Sequence, residues 1–204
     1  MTFPADWIVP DWPAPARVRA FVTTRQGGVS EGEHGSLHLG ARCGDDPARV
    51  AANRERVRRH LPSEPRWLDQ VHGSAVADLD AGPEGGPPVA DAAVTSAAGR
   101  VAVVLTADCL PVFLCREDGS RVAAAHAGWR GLAAGVLENA AAAVGGRVLA
   151  WLGPAIGPAA FEVGPEVREA FVAVQPEAAA AFAPRGEGKY LADLYALARL
   201  RLAM

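Results

Sequence analysis

Apolar residues along this chain gather in short runs bounded by turn residues, most densely between Val101 and Gly131. Val101 to Leu105, Val112 to Cys115 and Arg121 to Ala125 each have the length of a buried strand. Between the last two, Glu117-Asp118-Gly119-Ser120 predicts a hairpin, because Asp-Gly tolerates the positive φ values of a type I′ turn. A turn centred there sets Glu117 opposite Ser120 and Pro111 opposite His126. Phe21 to Thr24, Trp67 to His72, Ala90 to Thr95 and Val148 to Leu152 are further strand-like runs. A helix is predicted from Pro47, with Asp46 as cap and Val50, Val57 and Leu61 on one face. Leu132 to Val144 reads as one Ala-rich helix stopped by Gly145-Gly146. Pro165 to Val174, Pro176 to Phe182 and Leu191 to Leu202 are also predicted helical. Asp80 to Val89 is a Gly- and Pro-rich loop. Residues 1–20 form an extended, Pro-rich strap anchored by Trp7, Ile8 and Trp12.

Over 204 residues, 50% hydrophobic and 21% charged content predicts one globular domain spanning 1–204 with a sizeable core. The formal net charge of −3 gives no broad footprint for nucleic acid, so a small-molecule partner is expected. The N-terminus lacks the basic and apolar regions of a secretory signal, and no run has the length of a membrane helix. With no export signal and an odd number of cysteines, three, a cytoplasmic protein with reduced thiols is expected.

The predicted hairpin carries two polar outliers, Cys109 and His126. Side chains alternate with period two, so the two share a face as diagonal neighbours, with Cα atoms about 7–8 Å apart. A thiol and an imidazole meeting there suit a metal site or a nucleophile with its base. Pro111 donates no N–H, and a one-residue bulge there would reverse the parity. His72, ahead of Gly73, offers a third donor. The wide spacing of His72, Cys109 and His126 is unlike the short ligand pairs of structural zinc sites. Three ligands leave a fourth position open, as in catalytic zinc.

The run from His126 to Gly131 hands a strand to a helix, where free N–H groups and the Arg130 guanidinium suit an anion. Trp129 reads as a stacking or a core residue. Arg25, on the turn Arg25-Gln26-Gly27-Gly28, is a second candidate anion contact or a solvated loop residue. Asn53 is a ligand contact or a satisfied surface amide. Arg54, Arg56, Arg58 and Arg59 read as a solvated helix face. Glu162 faces a pocket or solvent, and Asp108 supports the site or a turn. Walker A and GxGxxG patterns are absent, as is the H-x-E with P-C-x-x-C signature of zinc deaminases.

The stretches TTRQGGVSEG, LGARCGDDPARVAANR, WLDQVHG, ADAAVT, LTADCLPV, AAAHAGWRGLAAGVL and WLGPAIGPAAFEVGPEV follow one another over most of Phe21 to Val167. Together they resemble the YfiH/YlmD family, also called laccase-domain or polyphenol oxidase proteins and related to purine nucleoside phosphorylases of the FAMIN type. The resemblance implies zinc on His72, Cys109 and His126, with copper the other candidate ion. It implies an α+β, CNF/YfiH-like fold of two packed mixed β-sheets flanked by helices in α/β/β/α layers. It also implies phosphorolysis of adenosine, inosine and methylthioadenosine, with adenosine deamination at the same site. Arg25, Asn53 and Arg130 are then the candidate substrate and phosphate contacts. Copper polyphenol oxidation fits poorly, since laccase chemistry needs several coppers and the chain has five histidines. A metal-free cysteine hydrolase, Cys109 with His126 as base, and a zinc-stapled non-enzymatic domain are the other readings. His38 stands in SLHLG where family members commonly carry asparagine. The family commonly continues beyond a helix like Leu191 to Leu202 into a segment rich in Phe, Tyr and Arg, which this sequence is expected to lack.

Overall fold

The computed structural model describes residues 3–82 and 85–204. Parts of the predicted strap and of the Asp80 to Val89 loop, Met1, Thr2, Pro83 and Glu84, lie outside the described residues. Five strands, β1 (Val76–Asp78), β2 (Ala92–Thr95), β3 (Leu110–Arg116), β4 (Val122–Ala127) and β5 (Val148–Leu152), form one sheet in the order β1-β2-β4-β3-β5. The β1/β2 pair is parallel and the other three are antiparallel, so this sheet is mixed.

The central hairpin has the predicted register, with Leu110 opposite Ala127 and Pro111 opposite His126. Its turn differs from the prediction. Gly119 has φ +68° while Asp118 keeps a negative φ, and the Gly119 N–H donates to Arg116 O at 2.7 Å. This is a four-residue loop with glycine in the left-handed position. It preserves the pairing, since Cys115 still lies opposite Val122 and the Arg116 N–H donates to Arg121 O at 2.9 Å. Pro111 does not bulge the strand, since its missing N–H points toward β5 rather than β4. There the Gly153 N–H donates to Pro111 O at 2.8 Å, and Gly153 O accepts the Tyr195 hydroxyl at 3.1 Å.

One face of the sheet, with Ala92, Val94, Val112, Leu114, Ala123 and Ala125, shares a buried core with Val136, Leu137, Ala140 and Val144 of helix α3 (Val136–Val144). The small strand residues let the helix approach closely. The other face carries Ala124, His126 and Phe113, the last stacked on Trp151 at 5.5 Å. Burial on both faces explains why β3 and β4 read as apolar runs rather than alternating ones.

Helix α1 (Pro47–Arg58) starts as predicted, the Asp46 carboxylate accepting the Ala48 N–H at 2.8 Å. The predicted Leu132 to Val144 helix is two: α2 (Trp129–Ala133) and α3, separated by Gly135 at φ +93°. Arg201 closes the break by donating to Ala133 O at 3.3 Å and pairing with Glu138. Helix α4 (Pro165–Val172) lies within its predicted span, but Pro176–Ala181 is a 3₁₀ helix.

A second sheet, β6 (Glu162–Val163), β7 (Phe182–Gly186) and β8 (Lys189–Ala192), has the order β6-β8-β7 and is antiparallel throughout rather than mixed. The β7/β8 hairpin was not predicted. Its two-residue turn, Glu187 at φ +50° and Gly188 at φ +73°, has the type I′ signs expected at Asp118-Gly119. Strand β8 takes the start of the predicted last helix, so α5 is Leu194–Leu202, capped by Asp193.

Three predicted strands are absent. Phe21 to Thr24 is reduced to a bridge between Val22 and Ile8, and Trp67 to His72 to a parallel bridge between Asp69 and Val89. Val101 to Leu105 carries no strand. In the strap, Trp7 is the anchor, 4.7 Å from Phe21 and packed with Leu37 and Val57, while Ile8 is exposed. The architecture is α+β, with a mixed five-stranded sheet, a three-stranded sheet and helices. Among the described residues no helix is long and apolar enough to cross a membrane.

Candidate metal centre

His126 stands on β4 opposite Pro111, on the face turned away from α3, and Cys109 immediately precedes β3. His72 arrives from a turn three residues beyond the Asp69 bridge. Cys109 Sγ lies 4.0 Å from His72 Nε2, and the two imidazole centroids are 4.8 Å apart at 72°. One donor atom from each of the three residues falls within 4.8 Å of the others. His126 is buried, Cys109 half-buried and His72 exposed, so the group opens to solvent on the His72 side.

Asp91 holds two of these residues together. Its buried carboxylate accepts three consecutive backbone N–H groups, from Val71 at 3.1 Å, His72 at 2.9 Å and Gly73 at 2.7 Å. It also faces His126 Nδ1 at 2.8 Å. Turning successive N–H groups onto one anion needs an unusual backbone, and His72 has φ +59°. The left-handed conformation costs a non-glycine residue about 1–2 kcal/mol, which charge-assisted hydrogen bonds offset. Burial alone would raise the Asp91 carboxyl, but the bonds from His126, Gly73 and Val71 together hold it below the ordinary carboxylate range. Asp91 is therefore an anion, and the proton between it and His126 sits on Nδ1. His126 Nε2 remains as a lone-pair donor, the arrangement a carboxylate imposes on metal-binding histidines. Burial also lowers His126, against the opposing pull of Asp91, so the ring is neutral.

Burial pushes the Cys109 thiol up, and the nearby charges of Asp108 and Asp91 push in the same direction. Two glycines make the convergence possible. A Cβ on Gly128 would stand 2.8 Å from Cys109 Sγ and 3.0 Å from His72 Cδ2. On Gly131 it would stand 2.7 Å from Gly73 O, so α2 could not pack against the His72 turn.

The remaining candidates separate. Arg130 is exposed on the first turn of α2, its guanidinium 4.5 Å from the Trp129 ring. Arg25 is exposed, with Nε donating to Gly35 O at 2.7 Å. Asn53 is fully buried. Its Oδ1 accepts the Val29 N–H, and its Nδ2 reaches Ser30 Oγ, Ser36 O and His38 O at 2.9–3.0 Å. Both ends of its amide are engaged and it is closed off from solvent, so in this structure it holds the 29–38 loop. Glu162 is exposed beside Arg185, and Asp108 is exposed with its carbonyl accepting the Ile156 N–H. The sequence reading missed Asp91. Its signal was a carboxylate inside the apolar run Ala90 to Val94, where a buried charge needs partners.

A family model described as multi-copper polyphenol oxidoreductase laccase matches residues 19–204. The chain belongs to this family, that of the YfiH/YlmD proteins. Among curated relatives of this laccase-domain family, the purine nucleoside phosphorylase YfiH of Escherichia coli is 55% identical, over 96% of this chain and 82% of its own. A Pseudomonas aeruginosa protein also named purine nucleoside phosphorylase is 54% identical, over 96% of this chain and 81% of its own. A Neisseria meningitidis crystal structure superposes with a TM-score of 0.92 at 50% identity, covering 97% of this chain and 83% of that one. The YfiH protein of Bacillus licheniformis gives 0.75 at 27%, covering 91% and 76%. The family's multi-copper description contrasts with the donors present. Among the described residues, His72, Cys109 and His126 are the one His, Cys, Asp or Glu group able to hold an ion.

Proposed function

We propose that this chain is a zinc-dependent purine nucleoside phosphorylase, with adenosine, inosine and methylthioadenosine as substrates and adenosine deamination as a subsidiary activity at the same site. The observation that carries the reading is the meeting of two imidazoles and a thiol within 4.8 Å, in a chain 54–55% identical to proteins named purine nucleoside phosphorylases. Small nucleosides and phosphate are the expected partners, and three free cysteines suit the cytoplasm.

The donor set fits zinc. Ligands at about 2.0–2.1 Å for nitrogen and 2.3 Å for sulfur lie roughly 3.3–3.8 Å apart in a tetrahedron, close to the 4.0 Å between Cys109 Sγ and His72 Nε2. His72, Cys109 and His126 would hold the ion. Copper is the less suited occupant, because polyphenol oxidation draws on several copper centres. When bound, the ion would supply a fixed positive charge that favours the Cys109 thiolate and stabilises charge developing on a nucleoside held beside it.

In phosphorolysis a phosphate oxygen forms a bond to the ribose anomeric carbon as the bond to the purine nitrogen breaks, and the purine keeps the electron pair. The chain's part is to hold phosphate and nucleoside in line and to offset their charges. Arg130, braced over Trp129, presents its fork to the phosphate, and Arg25 adds the part of its guanidinium not engaged by the 33–35 loop. Asp91 fixes the His126 tautomer and aims the ring without touching substrate, while burial keeps that ring neutral. A metal-free cysteine hydrolase is less well supported, because burial and two carboxylates push Cys109 away from the thiolate a nucleophile needs.

The test is chromatography of products from adenosine, with and without phosphate, for zinc-loaded protein and Cys109→Ala. Adenine and ribose 1-phosphate formed only with phosphate and intact Cys109 is the expected result. Ribose without phosphate dependence would overturn it.

A further inference from the structure

Gln70, two residues before His72, gives its whole side-chain amide to one residue of another segment. Nε2 donates to Leu105 O at 2.8 Å, and Oε1 accepts the Leu105 N–H at 2.7 Å. The pair of bonds imitates what a neighbouring strand would offer both polar groups of Leu105. This accounts for Val101 to Leu105, apolar enough for a strand, leaving neither polar group of Leu105 bare where no strand forms. From Leu105 the chain reaches Cys109 through Thr106, Ala107 and Asp108, all exposed. Asp91 ties His72 to His126 but makes no described hydrogen bond to the Cys109 loop. The amide is thus the hydrogen-bonded link between the loops carrying His72 and Cys109, apart from the contact of those two side chains themselves. The His72 side of the link is stiff. The Asp69 carboxylate pairs with Arg42, its N–H donates to Pro88 O, and the next three N–H groups after Gln70 sit on Asp91.

We infer that Gln70 is a positioning residue that sets the separation of His72 from Cys109, and through it the affinity and symmetry of the ion site. The inference rests on the metal reading above. An amide is needed because only a group that both donates and accepts can satisfy Leu105. Gln70→Leu removes both bonds, and Gln70→Glu keeps the acceptor but sets a carboxylate oxygen against Leu105 O.

The experiment compares wild type, Gln70→Leu and Gln70→Glu by competition of zinc with a chromophoric chelator, by the thiolate-to-cobalt charge-transfer absorption of cobalt-loaded protein, and by thermal melting. The expected result is a roughly 10–100-fold loss of zinc affinity in both variants, with a weakened or shifted cobalt band. Gln70→Glu, which still accepts the Leu105 N–H, supplies the readout should Gln70→Leu fold poorly. Wild-type zinc affinity and cobalt spectrum in a folded variant, with only a lower melting temperature, would overturn the inference and leave the metal site standing. A wild-type protein that takes up neither ion would overturn the metal reading itself, and this inference with it.

Discussion

The Asp91 carboxylate accepts the backbone N–H of His72 at 2.9 Å and thereby holds that residue at φ +59°, so a buried anion shapes the backbone of a solvent-exposed imidazole. The same carboxylate accepts a hydrogen bond from His126 Nδ1–H. Substituting Asp91→Asn keeps the volume but replaces one acceptor oxygen with a donor facing N–H groups. Each buried donor left unpaired costs about 1–3 kcal/mol. We expect a clear drop in melting temperature together with a zinc affinity roughly 10–100-fold weaker. Undiminished zinc binding in chelator competition would show that His126 and His72 keep their places without Asp91.

Gly128 tests the site from the other side. Its φ is −64°, which alanine adopts freely, so only space is at issue. A methyl group there would press on Cys109 Sγ and His72 Cδ2 together. Gly128→Ala should retain the far-UV circular dichroism of the wild type and lose at least about 10-fold in zinc affinity as the two donors part. Equal affinity by titration would mean that the donor loops yield easily.

The meeting of Cys109 and His126 was legible because a hairpin register is arithmetic: Pro111 opposite His126 follows from where the turn sits, and the face of Cys109 from the period of two. Even a wrongly assigned turn type left that parity intact. Asp91 was harder to see, since its role depends on three backbone groups brought in by a turn whose shape the carboxylate itself creates. Asn53 shows the opposite failure. An isolated amide on an arginine-rich helix looks like surface, yet the 29–38 loop folds over it and uses both ends. Val101 to Leu105 had the pattern of a strand but found a side chain where a strand would have been. At the break marked by left-handed Gly135, Arg201, far along the chain, reaches back to Ala133 O.

Asn53→Ala should therefore act on stability before it acts on substrate. It leaves the Val29 N–H, Ser36 O and His38 O without their buried partner. At about 1–3 kcal/mol for each unsatisfied group, partly relieved by water, we expect a loss on the order of 2–4 kcal/mol in denaturant unfolding. An unchanged midpoint with a raised KM for phosphate would return Asn53 to the substrate site.

Asp80 offers the fold an acid-sensitive contact that involves none of His72, Cys109 and His126. Hydrogen bonds from Ser96 and Thr95, with the Ser96 hydroxyl at 2.6 Å, hold its carboxyl well below the usual carboxylate range. A depressed folded-state value means that the stabilisation is present above the unfolded carboxyl's pKa, near 3.9, and is lost as pH falls toward the folded value. The melting temperature of the wild type should fall more steeply below about pH 4 than that of Asp80→Asn, and the two curves should converge at the acid end. Parallel curves would show that Asp80 does not carry the dependence.

Substituting Arg130 tests whether phosphate binding and metal binding are separable. Its guanidinium lies 4.5 Å from the Trp129 ring, which orients the fork at modest entropic cost, and helix α2 fixes its base two residues beyond Gly128. Replacing it with methionine keeps much of the stem's packing on the ring but removes the charge. If Arg130 receives the phosphate, the loss of a forked, charge-assisted contact worth about 1.5–3 kcal/mol should raise KM for phosphate roughly 10–100-fold. Zinc affinity should stay at the wild-type value, because Arg130 touches none of the three donors. Steady-state kinetics with phosphate varied at saturating adenosine decide the matter. A variant with unaltered KM for phosphate and a reduced kcat would move Arg130 from holding phosphate to steadying the transition state, and Arg25 would then be the cation to replace next.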